Sequence, residues 1–171
     1  MQRKLDRSAF TLVEVLIVVV ILGILAAIVI PQFSNASATA RENTLRDEMR
    51  YLRTQIAVYR AQHNDYSPGY APGSGSGVAT EANFELQMTT YTDEQGNANP
   101  TGSAVFKYGP YLSRMPKNPL NTFSTFTIIA DGAPMPAAPD GTTGYYYKPE
   151  TQQIAPNVVG TDSSGAAYYS Y

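Results

Sequence analysis

Side chains that could do covalent or transition-metal chemistry are scarce in this sequence. His63 is the only histidine in 171 residues, and there is no cysteine. Most nucleophile–base arrangements and the usual transition-metal sites are therefore excluded. Among the carboxylates, lysines and tyrosines that remain, no two stand at a spacing typical of an acid–base pair. We predict that the protein is not an enzyme. His63 lies beside Asn64 and Asp65, and we predict that it ends a helix and has either a terminal or a solvated role.

One carboxylate has unusual surroundings. Glu14 is the single ionisable group of Phe10–Ile30, in which 16 residues are Phe, Leu, Ile or Val. A carboxylate in apolar surroundings needs a cationic partner or must reach the interface with water. From the residues alone, both interpretations of Glu14 stay open.

The segment that carries Glu14 has the length and composition of a membrane-spanning helix. As a helix it extends roughly 32 Å at ~1.5 Å per residue, close to the ~30 Å hydrocarbon core of a bilayer. Three of the 12 basic residues and one of the 14 acidic residues lie in Met1–Ala9, so the remainder has a net charge of −4. Basic flanks stay in the cytoplasm, which places everything after Ile30 outside. The negative remainder argues against nucleic-acid binding.

The amino-terminal residues resemble a known family. The stretch SAFTLVEVLIVVVILGILAAIVIPQF is similar to the signature of type IV prepilins and type II secretion pseudopilins. This resemblance implies that prepilin peptidase cuts between Ala9 and Phe10 and N-methylates the new terminus at Phe10. It also implies that Glu14 is the filament-assembly glutamate, which pairs with the amino terminus of an incoming subunit. Ala9 departs from the family, where glycine usually precedes the cut, and an uncleaved anchor is the alternative.

Gly23 and Pro31 fall where the family has residues that loosen the helix. Proline lacks an N–H and clashes with the preceding turn, so Pro31 favours a kink. Glycine and proline are also common in membrane helices in general, which is the alternative explanation. We assign residues 1–9 to a leader peptide and residues 10–31 to a transmembrane and filament-core helix.

Apolar residues recur at helical spacing beyond the membrane segment. Separations of 4, 3, 4 and 3 residues predict one buried stripe on an amphipathic helix, which we assign to residues 32–64. Glu42 and Arg46 stand at the i, i+4 spacing of a stabilising ion pair. The stripe consists of Leu45, Met49, Leu52, Ile56 and Tyr59.

Residues 65–171 predict a small head domain. A second helix is expected over Thr80–Tyr91, and strands over 125–130, 144–148 and 153–157. The stretch YGPYLSRMPKNPL is similar to the connection that precedes the sheet in major type II pseudopilins. The predicted fold class is α+β and type IV pilin-like, with a long amino-terminal helix packed against a small antiparallel sheet. The tail TDSSGAAYYSY is expected to be flexible, with tyrosines that could pack on the sheet or on a neighbouring subunit.

Major type II pseudopilins often bind calcium in a carboxyl-terminal loop. This resemblance makes Asp131 and Asp140, which bracket DGAPMPAAPDG, candidate calcium ligands, because hard oxygen ligands suit Ca²⁺. The loop has no residue-by-residue match to the family motif, and ordinary turn residues are the alternative. No other cofactor is expected.

These features predict a structural subunit of a pseudopilus in a type II secretion-like system. The resemblance implies a helical homopolymer, with prepilin peptidase, minor pseudopilins, an assembly platform protein and an assembly ATPase as partners. The precursor would be anchored in the lipid bilayer of the inner membrane with its head in the periplasm, and the filament would be periplasmic or extracellular. The alternatives are a type IV pilin of a surface fibre and an uncleaved, anchored binding domain.

Overall fold

The computed structural model describes residues 11–171, apart from the side chains of Pro31 and Ser34. The chain divides into two units between Ala40 and Arg41. Helix α1 covers Leu12–Gln62 and contributes to both units. From Leu12 to Ile30 its side chains are exposed, whereas the predicted stripe beyond Arg41 is buried.

The second unit is organised around that buried stripe of α1. All five of its side chains are at most 2% exposed, which confirms the prediction from spacing. Helix α2 (Glu81–Thr89) packs Phe84 and Met88 into the same core. Thr80 begins α2, since its Oγ1 accepts a hydrogen bond from Asn83 N at 3.2 Å.

A three-stranded sheet supplies the rest of the core, in the order β3 (Phe126–Ile128), β4 (Tyr145–Lys148), β5 (Gln153–Pro156). The three predicted strands and the α+β fold class are confirmed. Strands β4 and β5 are antiparallel as expected, but β3 and β4 are parallel. The segment between Ile128 and Tyr145 is long enough for a crossover, whereas a tight turn would have forced antiparallel pairing.

A short hairpin, β1 (Tyr91–Thr92) with β2 (Ala98–Asn99), occupies the last residue of the predicted second helix and residues after it for which we predicted no strand. Its turn closes on the carboxylate of Asp93, which accepts hydrogen bonds from the backbone N–H of Gln95 and Asn97 at 3.0 and 2.9 Å. Side-chain closure of this kind competes with helix and ends α2 early.

Three further predictions for this unit are wrong in whole or in part. His63 directly follows the last residue of α1, as predicted, but it is fully buried rather than solvated, because the hairpin and the end of α1 enclose it. The tail is also held in place rather than flexible, because side chains of α1 bind it. Its residues Tyr168 and Tyr171 pack against the core. Glu42 and Arg46 contact this tail instead of forming the local ion pair that we expected.

Candidate functional site

Thr11 and Glu14 together form the beginning of α1. The backbone N–H and hydroxyl of Thr11 both donate to Glu14 Oε2 at 2.8 Å. In return, the backbone N–H of Glu14 donates to Thr11 Oγ1 at 3.2 Å. This reciprocal arrangement is a capping box, which satisfies N–H groups that have no partner inside the helix. The spacing of T-L-V-E could have predicted it, but the interpretation from sequence considered only lipid and assembly roles for Glu14.

The capping box leaves part of the Glu14 carboxylate open to an external group. Both donors from Thr11 use Oε2, and within residues 11–171 no donor reaches Oε1. The side chain is exposed. A carboxylate at a helix amino terminus is favoured by the partial positive charge of that end. Glu14 is therefore held in one orientation, and among residues 11–171 its second oxygen has no donor.

The helix after Glu14 is apolar on every side. The large apolar side chains between Leu12 and Ile30 are 44–83% exposed. A helix that is apolar all round belongs in lipid or in a bundle. In the part of the chain that the structure describes, α1 is the one helix long and apolar enough to cross a membrane.

Gly23, Pro31, Ala9 and Phe10 are the other residues to which the sequence assigned roles in this segment. The backbone stays helical through Gly23 and Pro31, and a Cβ at Gly23 would meet no atom within 4 Å. Loosening of the helix at these two positions therefore stays a prediction. Ala9 and Phe10, the expected cleavage and methylation sites, lie outside the described residues.

The two carboxylates proposed as calcium ligands have separate protein partners. Asp131 accepts from the hydroxyl of Tyr70 at 2.5 Å and the N–H of Gly77 at 2.9 Å. Asp140 Oδ1 accepts from Thr142 N at 2.9 Å, Thr142 Oγ1 at 2.8 Å and Asn157 Nδ2 at 2.7 Å. These hydrogen bonds, led by that from the Thr142 backbone, hold the pKa of Asp140 well below its usual range.

Asp131 and Asp140 have no hydrogen-bond partner in common among the described residues. Over residues 11–171 there is no group of three or more His, Cys, Asp or Glu side chains that could hold a metal ion. Calcium binding at these carboxylates stays a prediction.

A capped glutamate at the start of an all-apolar helix, together with an amphipathic helix packed on a small α+β head, defines a type IV pilin-like subunit. Comparison with known proteins agrees. Residues 4–30 match the model of the prokaryotic N-terminal methylation motif, a span that includes the predicted cleavage position and Glu14.

Relatives that match over most of the chain identify a narrower family within this class. The chain is 36% identical over 119 residues to the type II secretion system core protein G of Pseudomonas aeruginosa, which covers 70% of this chain and 71% of the relative. It is 27% identical over 144 residues to the protein of the same name from Vibrio cholerae, covering 77% and 86%. The type IV major fimbrial protein FimA of Dichelobacter nodosus is 46% identical over 102 residues, covering 60% and 62%. No solved structure matches the chain.

The chain belongs to the family of type II secretion system core protein G. The prediction of a pseudopilin is thereby confirmed.

Proposed function

We propose that this pseudopilin is a structural subunit of a pseudopilus, made as an inner-membrane precursor and assembled without catalysis of its own. The observation that carries the proposal is the capping box of Thr11 and Glu14 at the start of an apolar helix. It leaves a carboxylate oxygen open in a segment that otherwise offers only hydrocarbon contacts.

Processing would create the partner for this carboxylate. Cleavage between Ala9 and Phe10 by prepilin peptidase leaves a new α-amino group on Phe10, and N-methylation keeps that amine charged. The Phe10 amine of an incoming subunit is the cation that we assign to Glu14 Oε1 of a subunit already in the filament. An ion pair inside an apolar bundle compensates the cost of burying either charge alone.

The apolar helix would lie in two environments in turn, first the bilayer and then the filament. In the precursor, Leu12–Ile30 lies in the bilayer, with basic residues of the leader in the cytoplasm and the head in the periplasm. In the filament, the same surface packs against helices of other copies, which are as apolar as lipid. A head-to-tail contact that does not close generates an open helical polymer.

The work of assembly comes from partners. We assign movement of subunits out of the membrane to a platform protein and an assembly ATPase, and we expect minor pseudopilins as further partners. Nucleic acid has no part in this scheme, since the chain after the leader is negatively charged.

A type IV pilin of a surface fibre is the second candidate. The similarity to FimA, 46% identical over 102 residues, favours it specifically. Fibres on intact cells that persist when the type II secretion genes are deleted would support this alternative. Filaments that disappear with those genes would support the pseudopilus.

Intact mass of the protein from its native membrane tests the proposal. We expect a chain that begins at Phe10 and carries one methyl group, and an unprocessed chain when the peptidase gene is deleted. A chain that keeps Met1–Ala9 in the presence of the peptidase would overturn the filament proposal and leave an anchored binding domain.

A further inference from the structure

Asp162, in the tail, is enclosed by protein donors. Its Oδ1 accepts from Ser164 N at 2.8 Å, Ser164 Oγ at 2.7 Å and Ala166 N at 2.9 Å. Its Oδ2 accepts from the Tyr171 hydroxyl at 2.6 Å and pairs with the guanidinium of Arg46. The side chain of Asp162 is 0% exposed, so water reaches neither oxygen.

These donors are typical of a carboxylate in a buried ion pair, not of a carboxylate that binds a metal ion. A carboxylate offers about four lone-pair positions, and five donors already point at Asp162. N–H and guanidinium groups repel cations, and their hydrogen bonds occupy the electron pairs that a cation needs. The positive charge beside the carboxylate belongs to Arg46 of α1, whose ring contact with Tyr171, 4.5 Å from the centroid, fixes it further.

Two neighbours on α1 hold the same tail. Glu42 accepts from Ser163 N at 3.2 Å, from Ser163 Oγ at 2.9 Å and from the Tyr168 hydroxyl at 3.2 Å. Arg53 donates to the carbonyl of Ile154 at 3.1 Å and also to that of Tyr171. Arg46 is therefore the central contact of a set that fastens the tail along the helix.

We propose that the Arg46 guanidinium takes the structural place of a divalent cation, closing the tail around Asp162, so that the head folds without calcium. The hydrogen bonds on Asp140 support the same inference, because Asn157 and Thr142 already donate to its Oδ1. This inference concerns the fold of the head and does not rest on filament assembly. Calcium binding by Asp131 and Asp140 is the opposing outcome.

Thermal unfolding of the full chain in detergent tests the inference. The near-ultraviolet circular dichroism of its 13 tyrosines reports tertiary packing, and there is no tryptophan. We expect the same unfolding midpoint in millimolar calcium and in excess EGTA. A midpoint that rises with calcium, or stoichiometric calcium retained in equilibrium dialysis, would overturn the proposal.

Substitutions distinguish the contribution of Arg46 to stability from that of its neighbours on α1. We expect R46Q to lower the midpoint by several degrees, because it leaves Asp162 buried without its cation. The matched control is R50Q, since the pair of Arg50 with Asp47 is 75% and 76% exposed and should contribute little. Equal midpoints for R46Q and the wild type would contradict the central role of Arg46. If R46Q does not fold, Y171F removes one donor to the same oxygen and should give a smaller shift that is independent of calcium.

Discussion

His63 lies flat on Tyr59, with ring centroids 3.8 Å apart and the planes at 8°. Its Nδ1 is 2.6 Å from the carbonyl oxygen of Tyr59, and its Nε2 is 2.9 Å from Thr92 Oγ1. A carbonyl can only accept, so Nδ1 carries the proton and the Thr92 hydroxyl donates to Nε2 of the neutral ring. The last turn of α1 is thereby joined to the β1–β2 hairpin.

This geometry predicts that the head loses stability in mild acid. Burial lowers the pKa of His63, although its hydrogen bonds to the backbone of Tyr59 and Asp93, and the charge of Asp93, partly oppose that shift. A histidine whose pKa is lower in the folded state stabilises the fold above its unfolded value of about 6.5, and this contribution is lost as the pH falls below that value. The loss can reach about 1.4 kcal/mol per pH unit for one group.

Urea unfolding between about pH 7 and about pH 5 measures this contribution. H63F keeps a ring on Tyr59 but does not titrate, so we expect a lower free energy of unfolding at neutral pH and a shallower decline with acid. Parallel pH profiles for H63F and the wild type would show that other groups cause the acid loss.

A second prediction concerns Tyr145, whose hydroxyl donates to Glu48 Oε2 at 2.9 Å. Burial raises the pKa of Glu48, and the hydrogen bond from Tyr145 lowers it again. We expect Y145F to destabilise the head by about 1–2 kcal/mol at neutral pH, because Glu48 then loses a donor to its charged form. In an E48Q background the cost should shrink, which a double-mutant cycle by urea unfolding measures. An unchanged cost in E48Q would mean that Tyr145 acts through packing alone.

The third prediction is steric. A Cβ at Gly144 would lie 2.5 Å from the carbonyl oxygen of Phe123 and 3.2 Å from that of Thr125, and backbone cannot yield as a side chain would. We expect G144A to cost at least about 2 kcal/mol. The control is G141A, in which the added Cβ would meet no atom within 4 Å. Its only penalty is the positive φ of 73° at this position, which should cost about 1–2 kcal/mol. Chemical denaturation of both variants measures these costs. A G141A variant that is less stable than G144A would contradict this reasoning.

Local spacing was enough to predict the two helices and the three strands of the larger sheet, but not the β1–β2 hairpin or the contacts between distant residues. The stripe that includes Leu45 and Tyr59 was visible because helical periodicity and burial coincide. Glu42 and Arg46 also had the spacing of a local ion pair, but each found a better partner in the tail. Asp162 lies 116 residues from Arg46, and no periodicity links such a pair. Tertiary contacts decided between the local and the distant partner.

The same reasoning explains what was missed at the candidate site. T-L-V-E carries the signal of a capping box, but the apolar run around it led us to consider only lipid and assembly roles for Glu14. His63 was placed in solvent because Asn64 and Asp65 follow it, while the hairpin that covers it is marked only by the spacing of Asp93 and Asn97. Side-chain closure of short loops is the part of this fold that composition does not reveal.

The last prediction separates the two roles of Glu14. In E14Q the amide oxygen can still accept from Thr11 N, so the cap persists and only the charge is lost. In T11V the carboxylate persists, while the hydroxyl that accepts from Glu14 N is lost, at about 1 kcal/mol of helix stability. If Glu14 binds the amino terminus of an incoming subunit, E14Q should be processed but absent from filaments, and T11V should assemble. Intact mass and sedimentation of sheared filaments measure the two steps. Filaments from E14Q but not from T11V would show instead that Glu14 serves assembly only by starting the helix.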